Sequence, residues 1–246
     1  HGTSTTGPMR LRLCYRPPLD FPAMLGFLRK RAVPGVEDIG DSRYRRVVRS
    51  AGHTVVIDVT AAHNRNELVL AIHGAVAPTA IAPIVRGVRR MFDLDADLRP
   101  VHAQLAGDPL LAKALQRRPG LRVPGAWDGF ELGVRAVLGQ QVSVAAATTL
   151  AGRLVTRFGQ PVQSPVPALD RLFPAPETLL DAPLESIGLP GTRAASIRAL
   201  ARAVVQGHLQ FNPGQALEEF VTRCAALPGI GPWTAQYMAL RALGHP

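Results

Sequence analysis

The segment running from Leu227 to Arg241, LPGIGPWTAQYMALR, restricts the fold of this chain more than any other stretch. Leu227 closes a helical pattern, and Pro228, Gly229 and Gly231 force a tight turn. Pro232 then stands at a first helical position, where its missing N–H costs nothing. The helix that follows begins with exposed backbone N–H groups, and no acidic side chain occurs from Phe220 to the end. A turn of this kind can hold a phosphate with main chain alone. It also fixes the local architecture as helix, short hairpin, helix. Gly229-Ile-Gly231 is no dinucleotide fingerprint, because the third glycine is missing and a helical pattern over 214–225 precedes it where that motif needs a strand.

Two patterns meet near residue 97. Before it, alternating apolar residues predict strands at 10–15, 44–49, 54–60 and 67–73. Asp20-Phe21-Pro22 starts a helix predicted to run through Arg31. Ile81, Ile84, Val85, Val88 and Phe92 predict a second helix over 79–92. After residue 98 the strand pattern vanishes. Helices are predicted at 101–106, 109–116, 127–138, 143–158, 192–206, 214–225 and 232–243, with a Pro-rich connection over 161–176. The expected fold is α+β: a linker-like stretch 1–9, a small antiparallel sheet domain with two helices over 10–98, and an all-helical region over 99–246.

Composition narrows the partner. The net charge is +10, carried almost wholly by arginine, with lysine only at Lys30 and Lys113. Arginine forks match phosphate oxygens, which favours a nucleic acid over the alternative of a merely basic soluble protein. Cys14 and Cys224 are too few for a disulfide framework, a zinc knuckle or an iron–sulfur cluster. The most apolar stretch, 71–85, holds His73, Pro78 and Pro83 and is too short to span a bilayer. The expected setting is cytoplasmic, at the nucleoid, with no membrane partner. His53, His63 and His73 are evenly spaced and are explained as polar residues at strand edges rather than as a metal site.

Trp233 and Tyr237 stand at i,i+4 and therefore face the same way, beside the phosphate turn. They suit the stacking of a base extruded from a duplex; core packing is the alternative for Tyr237. Gly139-Gln140-Gln141-Val142-Ser143 breaks two helical patterns, with Ser143 as cap of the second. Its paired amides can enter the gap left by a flipped base, although a plain polar loop would read the same.

Five stretches in this order complete a likeness: Met24-Leu25-Gly26-Phe27-Leu28, Met91-Phe92-Asp93-Leu94, Arg118-Pro119-Gly120-Leu121-Arg122, Gly133-Val134-Arg135-Ala136-Val137-Leu138-Gly139-Gln140, and the hairpin Pro228–Trp233. The chain resembles the helix–hairpin–helix DNA glycosylases, and among them the 3-methyladenine DNA glycosylase II type. The resemblance implies a monofunctional hydrolase that flips alkylated purines out of duplex DNA and cuts the N-glycosidic bond. It places Trp233, Tyr237 and Phe27 at the base pocket. It assigns DNA contact to Gly229, Ile230, Gly231 and Thr234, and to Gln140, Gln141 and Ser143. Gln141 stands where a leucine wedge is expected, so hydrogen bonding to the orphaned base replaces apolar intercalation. The resemblance further implies a structural Na⁺ or K⁺ held by the carbonyls of Ala225, Leu227 and Ile230, with no cofactor required. Trp233 occupies the place of the lysine that lyase-type relatives use as nucleophile, which removes a Schiff-base route.

The catalytic aspartate of such enzymes is expected about twenty residues past the hairpin tryptophan, beyond Pro246, so no catalytic residue is assigned here and this chain by itself is expected to be inactive. That gap motivates a competing reading, a non-catalytic module that recognises lesions or distorted duplex. A monomer is expected. Fusion behind an alkyl-transfer and transcription-activator module is compatible with the first residues.

Overall fold

A computed structural model describes residues 7–212 and 214–244; the first part of the linker-like stretch, residues 1–6, and Pro246 lie outside it. Strands β1 (Met9–Cys14), β2 (Glu37–Ile39), β3 (Arg43–Ser50), β4 (His53–Ala61) and β5 (Glu67–His73) form one antiparallel sheet in the order β1-β5-β4-β3-β2. Because strand side chains alternate, Tyr44 and Val48, Val55 and Ile57, and Leu68 and Leu70 all reach the same buried layer. Helices α1 (Phe21–Arg29) and α2 (Pro78–Met91) supply Met24, Leu25, Ile84 and Val88 to that layer. Strand β2 went unpredicted, since three residues are too few to show alternation.

Asp20 caps α1 as expected, its carboxylate accepting the Ala23 N–H at 2.9 Å. The helix stops two residues earlier than predicted. Arg31 N–H donates to Leu28 and Ala32 N–H to Arg29, so the chain tightens into i→i+3 turns before Pro34. Arg31 therefore sits on an unwinding turn, four residues past Phe27.

The helices that follow are α3 (Leu98–Leu105), α4 (Pro109–Arg117), α5 (Gly129–Leu138), α6 (Val144–Phe158), α7 (Pro176–Leu179), α8 (Gly191–Val205), α9 (Leu217–Ala225) and α10 (Pro232–Met238), with a 3₁₀ turn at Leu184–Ile187. Within the Pro-rich connection a two-residue pair, β6 (Gln160–Pro161) with β7 (Arg171–Leu172), lays Leu169 and Leu172 on Val47 and Val56 of the sheet's outer face. Strand structure thus does not vanish after residue 98. The predicted start at Trp127 moves to Gly129 because Asp128 takes the cap, accepting the Glu131 N–H at 2.7 Å. Helix α9 likewise starts at Leu217 rather than 214.

Helix α5 is the centre of the helical core. A methyl group on Gly133 would meet Leu200 of α8 and Met238 of α10 at 2.8 Å, so glycine is what lets three helices approach there. Val33 and Val36, from between α1 and β2, complete this core rather than the sheet's. Among the described residues no helix is long and apolar enough to cross a membrane.

Candidate functional site

The hairpin between α9 and α10 is built by its glycines and by Ile230. Leu227 N–H donates to Cys224 and Ile230 N–H to Leu227, both at 3.1 Å, closing two short turns. Gly229 has φ +74°, and a Cβ there would stand 2.1 Å from Ser196 Oγ. Backbone conformation and space therefore both demand glycine. Ile230 is 2% exposed and pins the turn into the helical core. On the other side the turn is open, for a Cβ on Gly231 would meet nothing within 4 Å. Among the described residues the N–H groups of Gly229 and Gly231 have no hydrogen-bond partner, and no side chain caps α10. Thr234 is buried, so only its main chain can face a ligand; the N–H of Ile230 is already used within the turn.

The loop between α5 and α6 is strapped to this hairpin. Gln140 Nε2 donates to the Gly229 carbonyl at 2.8 Å, and Arg193 donates to the Gln140 carbonyl at 2.9 Å. Gln140 thus holds the hairpin in place. Gln141 is exposed at the loop's tip with φ +56°, an uncommon conformation for a residue with a Cβ. Ser143 caps α6, its Oγ accepting the Ala146 N–H at 3.2 Å.

Between loop and hairpin opens a cleft of about 270 Å³. Trp233 and Tyr237 form one wall, their rings stacked 5.8 Å apart at 6°. Trp233 is 78% exposed, which rules out core packing as its role. Leu132, Ala136, Ala147 and Ala151 line the apolar part, and Arg31, Arg135 and Arg241 the polar part. Phe27 lies behind this wall. Arg31 Cζ stands 3.8 Å from its ring centroid and Arg241 Cζ 5.0 Å.

Arg241 is 8% exposed and sits in a π-helical turn, Ala239–Leu243, that continues α10. The wider turn aims its guanidinium into the protein, where each nitrogen donates: Nε to Pro124 at 2.7 Å, Nη1 to Tyr237 Oη at 2.7 Å, and Nη2 to Gly125 at 3.0 Å. A buried cation is thereby held by neutral oxygens and ring faces alone.

Arg135 is organised by carboxylates from both parts of the molecule. Its Nη1 reaches Glu37 of β2 at 3.1 Å and Glu131 of α5 at 2.9 Å. Its Nη2 donates to the Arg31 carbonyl at 2.6 Å. Arg46 of β3 binds Glu131 at 2.7 Å and lies 3.8 Å from Glu37, which also accepts from Tyr44 Oη at 2.7 Å. Burial alone would raise the Glu37 carboxyl, but Arg135 and Arg46 outweigh it and hold it below its ordinary value. Burial, followed by Glu37, pushes Tyr44 well above the usual phenol range.

The sequence pointed to Trp233 and Tyr237 and missed Arg31, Arg135 and Arg241. A signal existed: Arg241 follows Tyr237, and Arg31 follows Phe27, at helical i,i+4 spacing. Burial pushes the Cys224 thiol up to about 12, which makes it an inert core residue. Among the described residues no group of three or more His, Cys, Asp or Glu side chains could hold a metal ion, and the three evenly spaced histidines form none.

A small antiparallel sheet packed before a helical core, with an open-backed hairpin beside an aromatic cleft, defines the helix–hairpin–helix class of base-excision proteins. Residues 10–128 match the AlkA N-terminal domain, and residues 134–241 match the HhH-GPD superfamily base excision DNA repair protein. A DNA-3-methyladenine glycosylase 2 from Escherichia coli is 35% identical over 232 residues, covering 93% of this chain and 79% of that protein. A probable bifunctional transcriptional activator/DNA repair enzyme AlkA from Mycobacterium tuberculosis is 38% identical over 99% of this chain and 49% of its own length. The chain thus spans about half the length of the mycobacterial relatives it matches. In fold it is similar to a 3-methyladenine DNA-glycosylase from Archaeoglobus fulgidus, with a TM-score of 0.79 at 23% identity over 96% of this chain and 80% of that one. The chain belongs to the AlkA family of DNA-3-methyladenine glycosylases.

Proposed function

We propose that the chain recognises alkylated purines in duplex DNA, 3-methyladenine among them, and belongs to a monofunctional glycosylase that hydrolyses their N-glycosidic bond. The observation that carries this reading is the exposed Trp233–Tyr237 stack at the mouth of a cleft directly after the open hairpin. The free N–H groups of Gly229 and Gly231 would take a DNA phosphate. Trp233 and Tyr237 would then stack a base turned out of the duplex. Gln141, alone at its loop tip, would meet the partner left behind. Alkylated purines are activated leaving groups, so the reaction needs little acid catalysis and relies on stabilising a cationic sugar.

Among the described residues no carboxylate lines the cleft, since Glu37 and Glu131 stand behind Arg135. We therefore expect the 246-residue chain to bind methylated duplex without releasing the base. The same observation favours the second reading, a recognition module without catalysis. Incubating methylated duplex with the protein at its full natural length separates the two: base release supports the glycosylase, and lesion binding without release supports the module. Borohydride trapping is expected to give no covalent adduct, because Trp233 cannot form a Schiff base.

The carbonyls of Ala225 and Ile230 accept no hydrogen bond among the described residues, and that of Leu227 accepts one from Ile230. Uncharged oxygens of this kind suit a Na⁺ or K⁺ ion that would stiffen the turn. A monomer acting in the cytoplasm fits this reading. Fusion to an alkyl-transfer and activator module would extend this reading, and its activator part fits the mycobacterial relative, a probable bifunctional transcriptional activator/DNA repair enzyme of which this chain covers 49%.

A further inference from the structure

The Pro-rich connection covers one half of the sheet's outer face, with Leu169 and Leu172 on Val47 and Val56. The other half is open. Strand register there sets Arg10, Ala71, Asp58 and Arg45 side by side across four strands. The next row along the strands is Arg12, Val69, Thr60 and Arg43. Arginines thus stand on both sides of a floor of smaller residues. They border a trough of about 370 Å³ that Pro165 and Val166 also line.

The polar groups of this face are left incomplete. Of four buried side-chain polar atoms without a hydrogen-bond partner among the described residues, three lie here: Arg45 Nε, Asp58 Oδ1 and Glu67 Oε2. The nearest opposite charges are beyond bonding distance. Arg43 Nε stands 3.8 Å from Asp58 Oδ1, and Arg12 Nη1 stands 4.0 Å from Glu67 Oε2. Arg45 spends its Nη2 on Asp38, which leaves its Nε unused. Arg10 is exposed, with no ion pair or hydrogen bond among the described residues. An unpaired buried polar atom is costly, so three on one face point to a missing occupant.

The two unpaired atoms of the trough have opposite needs, and their residues face each other on neighbouring strands. Asp58 Oδ1 requires a donor and Arg45 Nε an acceptor. A peptide group supplies both. A phosphodiester supplies acceptors only and would set its charge beside Asp58. The arginines around the pair call for carboxylates on the occupant, spaced as side chains are along an extended backbone. We propose that this trough docks an extended acidic segment of a partner protein, its backbone pairing with Asp58 and Arg45 and its carboxylates with Arg10, Arg12 and Arg43. Arg43 is 47% exposed. It swings from Asp58 onto the incoming carboxylate and so opens Oδ1 to the segment's N–H. This goes beyond the proposed function and needs no base in the cleft; it gives the sheet domain a partner of its own.

The test measures fluorescence anisotropy of the 246-residue chain with a short labelled peptide of alternating glutamate and alanine. The same peptide with glutamine for glutamate is the control. Wild type is expected to bind the glutamate peptide about tenfold more tightly than the control, and less so as salt rises. Arg10→Gln and Arg43→Gln should each lower that affinity about threefold. Asp58→Val separates a bound peptide group from charge alone. Removing a negative charge would by itself tighten binding of an acidic peptide, whereas the proposal expects binding about tenfold weaker. Asp58→Asn keeps an acceptor oxygen and should lose less. Melting temperatures identify any variant that fails to fold, and Arg10→Gln, at an exposed position of an edge strand, keeps the test open in that case. Equal binding of the two peptides by wild type, or tighter binding by Asp58→Val, overturns the proposal. So does displacement of the peptide by undamaged duplex together with a loss of duplex affinity in Arg10→Gln, which would assign this face to nucleic acid.

Discussion

The hairpin at 227–232 and the seam between sheet and helical core are both polar, yet they are made in opposite ways. The hairpin offers main-chain N–H groups with no charged side chain, faces solvent, and depends on a missing Cβ at Gly229. The seam uses the charged side chains Glu37, Arg46, Glu131 and Arg135, with Arg46, Glu37 and Glu131 nearly sealed from water. A backbone site tolerates most side-chain changes but not added bulk. A buried charge network tolerates conservative repacking of the whole but not the loss of one member, because the remainder is left unpaired in a low dielectric. Binding and stability should therefore separate cleanly between these two regions.

Glu131→Ala should give the largest effect. It leaves Arg46 buried with Glu37, 3.8 Å away, as its one remaining carboxylate among the described residues, and removing one member of such a pair costs about 3–5 kcal/mol. Denaturant unfolding should report that loss, and a change below 1 kcal/mol would show the network relaxing or hydrating. Gly229→Ala comes next. Left-handed backbone and the clash with Ser196 would distort the turn, costing about 1–3 kcal/mol of local strain. Duplex affinity should fall whether or not a lesion is present, and unchanged affinity would remove the hairpin from the DNA interface.

Trp233→Ala should cost about 1–3 kcal/mol of lesion binding through lost stacking. Its exposure means that stability should move by no more than about 0.5 kcal/mol. A large stability loss instead would make the stack a packing feature after all.

Acid should have the smallest effect. Glu37 has its carboxyl lowered from the ordinary 4.5. Its stabilising contribution is therefore complete above that value and is lost as pH falls through the lowered one. Burial raises Asp128 above its usual 3.8. That group protonates earlier in the folded state and offsets part of the loss. A shallow decline in melting temperature at acid pH is expected, flatter in Glu37→Gln; an identical decline in both proteins would place the acid sensitivity elsewhere.

Local signals made the architecture legible. Asp20 and Ser143 as caps, Pro232 at a first helical position and alternation over 67–73 all act within a few residues. What was hidden depends on distant partners. Arg46 reads as a surface residue of an Arg-rich strand, yet its register opposite Glu37 and Ile57 turns it inward, toward Glu131, 85 residues away. The pairing of β6 with β7 across the Pro-rich connection was hidden for the same reason. At the site, Trp233 and Tyr237 were readable from their spacing. The arginine wall was not, because it needs the π turn at 239–243 and the unwinding of α1 before Arg31.

The bond from Gln140 to the Gly229 carbonyl has a mechanical meaning under the proposed DNA reading. It would tie a phosphate grip at the hairpin and a tip at Gln141 into one caliper of fixed opening. A stiff duplex would resist that spacing and a weakened base step would yield to it, so such a caliper would sample pliancy before letters.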